Sequence, residues 1–181
     1  MQRMRAGRGL SGAKFYGLVF VAAFITFALH EGGHWLAAVL LGHEAYFGLN
    51  SAGARDAVSA ADHAIISAAG PAVTIVQALI ALALVQMRAS PAAWVFLFWA
   101  AFMRLMAAVI SLFNPNDEAR ISEWLGWGMW TLPVIVTGAL FVLLVLGSRR
   151  LQVSWKTLAL TWVVASVAVS AVVGLDMIMP R

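Results

Sequence analysis

Apolar positions run almost without interruption through five stretches of this chain, at about 15–41, 64–87, 92–113, 127–147 and 157–175. About 20 apolar residues in an α-helix suffice to cross the hydrocarbon of a bilayer. Lipid offers the backbone no hydrogen-bonding partner, so each stretch is expected to be a helix. The pattern therefore predicts an all-α, polytopic transmembrane helical bundle of about five spans. It forms a single integral-membrane domain over 1–181, with no soluble domain, linker or repeat. The first stretch follows several basic residues, as a signal peptide would, but it is too long for an apolar signal core.

Composition strengthens this picture. Hydrophobic residues make up 62% and charged residues 11%, and mean hydropathy is +0.88. The few charges carry topological information. Arg3, Arg5, Arg8 and Lys14 precede the first span, Arg88 follows the second, and Arg149, Arg150 and Lys156 follow the fourth. Alternating spans place all of these on one face. Arg55, Arg120 and Arg181 fall on the other, and Arg104 lies within the third span. The positive-inside rule then predicts a cell-membrane protein with a cytoplasmic N-terminus and an external C-terminus. The basic clusters are short, flank apolar helices and lack interleaved aromatics, so they read as lipid anchors and not as a nucleic-acid surface. There is no Cys, which excludes disulfides.

One polar interruption stands out. His30-Glu31-Gly32-Gly33-His34 sits inside the first apolar stretch, where a charged side chain at mid-membrane costs roughly 2.5–3.5 kcal/mol on insertion scales. Helical positions i and i+4 share a face, so His30 and His34 can direct ring nitrogens at one point. Two neutral imidazoles form half of a tetrahedral zinc site. Glu31, offset by about 100° from His30, falls beside such an ion and could act as general base toward its water, as in the H-E-x-x-H metalloproteases. A purely structural zinc site would normally use four protein ligands, often Cys.

Two histidines leave such an ion short of one protein ligand. The alternating spans bring His43, Glu44, Asp62, His63, Asp117, Glu118 and Glu123 to the appropriate side. His43 lies nine residues past His34, roughly 13 Å along a continued helix, too far to share an ion. The others remain open on physical grounds.

Three segments resemble the site-2 protease family of intramembrane zinc metalloproteases. They are Leu29-His30-Glu31-Gly32-Gly33-His34; Ala69-Gly70-Pro71-Ala72; and Leu112-Phe113-Asn114-Pro115-Asn116-Asp117, followed by Arg120-Ile121. The likeness covers about residues 28–122. It implies a metalloprotease-like core at about 15–122, with additional spans at about 127–175. It also implies one zinc ion on His30, His34 and Asp117, with Glu31 as the base and Asn114 near the substrate backbone or oxyanion. Glu118 stands where the family has Gly, which makes it an alternative ligand. Thr74 stands where the family often has Asn. The implied substrate is a peptide or the spanning segment of another membrane protein. The charge pattern turns the site outward, whereas the family places it toward the cytosol.

The remaining features have plainer expectations. Gly70-Pro71 is expected to allow a kink or close packing. Arg104, roughly 13 Å from its helix end, is expected to pair structurally or snorkel instead of touching the metal. Trp94, Trp99, Trp124, Trp127 and Trp130 read as interfacial anchors. The small residues at 57–69, with Gly48 and Gly53, could form a short hairpin or re-entrant loop. Asp62 and His63 read as interfacial polar residues. The rival function is a non-catalytic membrane metal protein, either a degenerate protease scaffold or a metal carrier. A carrier needs a polar trail on both sides of the site, and only Gln86 and Arg104 offer one on the cytoplasmic half.

Overall fold

The structure, a computed structural model, describes residues 10–179. Arg3, Arg5, Arg8 and Arg181, which contribute to the charge pattern, lie outside the described residues. Among the described residues, five helices are long and apolar enough to cross a membrane: α1 (Ala13–Leu40), α2 (Ala60–Arg88), α3 (Pro91–Ile110), α5 (Thr131–Leu151) and α6 (Trp155–Ile178). The chain is thus an all-α, multi-pass membrane protein. Two small elements complete it. A hairpin of β1 (Ala45–Phe47) and β2 (Ala52–Ala54) joins α1 to α2, and the short helix α4 (Asp117–Trp124) joins α3 to α5.

Local chemistry sets the helix starts. Ser59, Ser90 and Ser154 each accept a backbone N–H of the first turn that follows, and Pro91 occupies the first turn of α3. Ala89 and Gln152 close α2 and α5 in the left-handed conformation, with φ of 49° and 54°, giving tight reversals at one end of the bundle. The hairpin and α4 lie at the opposite end. Its strands pair Ala45 with Ala54 and Phe47 with Ala52, and Leu49 N–H donates to Asp176 at the end of α6 (2.8 Å). The hairpin therefore falls in the Gly48–Gly53 region, while 60–69 is ordinary helix.

α3 is the central span. Of its most apolar window 67% is buried, against 22–39% for the other four. Trp94, Phe98 and Phe102 recur every fourth residue at 5.7 Å centroid separations, the first pair tilted and the second stacked. Trp162 of α6 packs edge-on against Phe98 and Phe102. This corrects the expectation for two tryptophans. Trp94 and Trp99 are fully buried core residues, and their indole N–H groups donate to Ser148 Oγ (2.9 Å) and Val19 O (2.8 Å). A buried indole is stable where its N–H finds such an acceptor. Trp124, Trp127 and Trp130 are exposed, as anchors would be.

α1 and α2 pack closely because Gly33 has no side chain. A Cβ there would lie 2.8 Å from Ala69 O and 3.0 Å from Val73 Cγ2. This contact brings the α2 backbone directly against the polar turn of α1.

Candidate metal centre

His30 and His34 sit about 15 and 9 Å from the end of α1 at the standard rise per residue, and both are buried. Asp117 reaches them from the first turn of α4. That helix is short but well started: Asn116 Oδ1 accepts Asp117 N–H (2.8 Å), and Ser111 Oγ accepts Asn116 N–H (3.1 Å). Both carboxylates of the first turn, Asp117 and Glu118, lie at the positive end of the helix dipole. Asp117 Oδ1 accepts from Arg120 Nη2 at 2.6 Å, which turns the other oxygen inward.

Three atoms converge. His30 Nε2 and His34 Nε2 are 3.1 Å apart, and Asp117 Oδ2 lies 3.3 Å from the first and 3.4 Å from the second. This triangle can be tested against a metal ion. Zinc bound tetrahedrally at about 2.0–2.1 Å requires ligand atoms about 3.3 Å from one another. The observed edges meet that spacing, and the fourth vertex is left for a non-protein ligand. His30, His34 and Asp117 could therefore hold a metal ion.

The outer nitrogens make the inner ones available. His34 Nδ1 lies 2.6 Å from Ile66 O, a pure acceptor, so Nδ1 must carry the proton. Thr74 hydroxyl donates to Gly70 O (3.1 Å) and therefore accepts from His30 Nδ1 (3.0 Å). Both imidazoles thus present a bare Nε2 lone pair to the triangle, the tautomer a ligating histidine needs. Both supporting acceptors, and the space for the rings, come from α2. A Cβ on Gly70 would lie 2.5 Å from His30 Cε1 and 2.6 Å from His34 Cε1, and closer still to His34 Nε2.

The resulting picture departs from sequence expectation at several residues. α2 continues as helix through Gly70-Pro71, and Gly70 gives the close packing that is one of the two expectations for it, against the imidazoles of α1. Thr74 orients a histidine. Glu118 faces Arg104, whose Nη1 lies 3.0 Å from Oε1, and it does not join the three-atom group. Arg104 does not snorkel. It is buried to 3% exposure, with Nη2 3.3 Å from His30 Nε2 and Nη1 3.4 Å from Asp117 Oδ2. The pairing expected of it is present, and α4 supplies the partners by bringing Asp117 and Glu118 to the depth of Arg104. Asn114 is exposed on the loop after α3.

Glu31, 6% exposed, lines the same cavity of about 560 Å³ as the three converging residues, Arg104 and Asn114. Its far wall is the hairpin, through Tyr46 and 50–54, together with His63 and Val169 and Val173 of α6. Ser59 caps the start of α2 by accepting Asp62 N–H, and its hydroxyl donates to Asp62 Oδ2. His43, away from the triangle, donates from Nδ1 to Asp56 Oδ2 (2.8 Å), and its Nε2 lies 3.5 Å from Asp62 Oδ2. The bond to Asp56 raises the His43 pKa above its ordinary value.

Comparison with models of protein families, with curated proteins and with solved structures finds no match.

Proposed function

We propose that this membrane protein is an intramembrane zinc metalloprotease, similar to the site-2 protease family, that hydrolyses peptide bonds in membrane-spanning segments of other proteins. The observation that carries the reading is the triangle of His30 Nε2, His34 Nε2 and Asp117 Oδ2, with edges of 3.1–3.4 Å, beside a buried Glu31 in one cavity. One zinc ion held by these residues would polarise the scissile carbonyl and bring the pKa of water to about 7.

The remaining work falls to side chains of the chain. Glu31 takes the proton of the attacking water as its oxygen bonds to the carbonyl carbon. It returns that proton to the amine nitrogen as the C–N bond breaks. The substrate helix must unwind locally, because its carbonyls are otherwise held in backbone hydrogen bonds. Asn50, Ser51, Asn114 and Asn116 give the cavity a polar lining through which water can enter. With the N-terminus cytoplasmic, this cavity opens to the outside of the cell membrane.

One observation favours the alternative of a non-catalytic scaffold. Arg104 Nη2 lies on the His30 nitrogen that a metal would use, so a guanidinium could stand in for the ion. Glu31→Gln separates the two readings. The protease should keep its zinc and lose cleavage of a spanning reporter peptide by about 10²–10⁴-fold, the usual contribution of a general base. Undiminished cleavage would remove Glu31 from the chemistry, and absence of zinc from the purified wild-type protein would favour the scaffold.

A further inference from the structure

Arg104 is the buried charge to which the reaction above gives no task. Glu118 does not account for it. Both Glu118 oxygens lie on Nη1, at 3.0 and 3.3 Å, whereas a purely structural pair would normally use two nitrogens of the fork side by side. Nη1 also stands 3.4 Å from Asp117 Oδ2, and Nε has no partner. The remaining arm, Nη2, lies 3.3 Å from His30 Nε2. Because His30 Nδ1 is committed to Thr74, Nε2 is a bare lone pair and Nη2 must be the donor.

A metal ion on His30 requires that same lone pair. Loading the site would therefore release Nη2 and leave two faces of a fully buried guanidinium without an acceptor, against the edge of the ligand triangle. Unpaired donors on a buried cation are costly, and the group they satisfy best is an anion. Glu118 offsets the positive charge, so Arg104 need not repel the metal. The one anion that the proposed reaction creates at this place is the oxygen of the scissile carbonyl as water adds to it.

We propose that Arg104 is a catalytic residue that donates from its Nη2 arm to this developing oxyanion. The inference rests on the proteolytic reading. It moves to α3 the role that resemblance gave to Asn114, which is exposed at the cavity rim.

The test uses full-length protein in detergent micelles with a fluorogenic spanning peptide. Zinc content is measured alongside kcat and KM, as is inhibition by a phosphinic peptide whose tetrahedral P–O⁻ mimics the oxyanion. The main variant is Arg104→Gln/Glu118→Gln, which removes both charges together; Arg104→Lys keeps a charge beside Glu118 but loses the fork. For both, the expected result is wild-type zinc content, little change in KM, a kcat lower by about 10²–10³-fold, and phosphinate affinity lower by a similar factor. Retained kcat in either variant overturns the proposal. So does zinc loss that parallels the kcat loss, which would make Arg104 a residue that positions the ligands. Zinc-loaded wild-type protein that cleaves nothing fails the underlying protease reading, a distinct outcome because it appears before any variant is made.

Discussion

On the proposed zinc reading, Gly70→Ala should abolish metal binding at the candidate centre without unfolding the protein. The added methyl would lie 2.5 Å from His30 Cε1 and 2.6 Å from His34 Cε1, where carbon atoms ordinarily approach to about 3.5–4.0 Å. The rings must therefore retreat by about 1 Å, whereas a metal site tolerates ligand displacements of about 0.2 Å. Loss of supporting geometry on this scale lowers metal affinity by at least the 10–100-fold typical of outer-shell changes. The fold should survive. Overpacking costs about 1–3 kcal/mol, and replacing Gly by Ala inside a helix returns up to about 1 kcal/mol. Zinc affinity is measured by competition with a chromogenic chelator, and folding by circular dichroism on heating in the same detergent. Gly32→Ala is the control: it lies on the histidine helix itself, and nothing stands within 4 Å of its would-be Cβ. Zinc binding by Gly70→Ala within about threefold of wild type would refute this account of how α2 supports the site.

Two further outcomes are expected. Thr74→Val removes the acceptor that fixes the His30 tautomer and should weaken zinc binding about 10–100-fold, while Thr74→Ser restores it; equal affinities in the chelator competition would show that the hydroxyl does not orient the ring. The raised pKa of His43 means that its bridge from the segment between α1 and β1 to Asp56 and Asp62 stabilises the hairpin fully below the unfolded value of about 6.5 and is lost as pH rises through the folded value. Hydrogen exchange of the hairpin amides, corrected for intrinsic rate, should accelerate over that window in wild type, and a flat profile would exclude the bridge.

What the sequence disclosed follows how local each feature is. The five spans are one-dimensional patterns, readable because a membrane helix must be apolar along its whole length. His30 and His34 were legible because i, i+4 spacing determines their common face within one helix. Asp117 could be named only through resemblance, since its approach depends on α4 turning back under α3. Trp94 and Trp99 were misread because residue type favours the interface, while position in the central helix decided otherwise. The hairpin strands, three residues each, are too short to show an alternation.

The least legible part is what α2 contributes, and it is the part that makes the histidines usable. A carbonyl at Ile66, a hydroxyl at Thr74 and a missing Cβ at Gly70 carry no ligand signature of their own. They acquire meaning only once Gly33 lets the two backbones meet. The buried charges point the same way. Glu31, Asp117, Glu118 and Asp176 are 4–6% exposed, and Arg104 is the one Lys or Arg among the described residues buried to that degree. Buried acids thus outnumber buried guanidinium and ammonium groups here, an imbalance partly offset by the half-exposed Arg120. Uncompensated buried charge costs several kcal/mol per ion. A divalent cation at the triangle, as proposed, would meet that demand where the lone pairs converge. Arg104, whose Nη2 lies 3.3 Å from His30 Nε2, is the nearest positive charge the chain itself offers there.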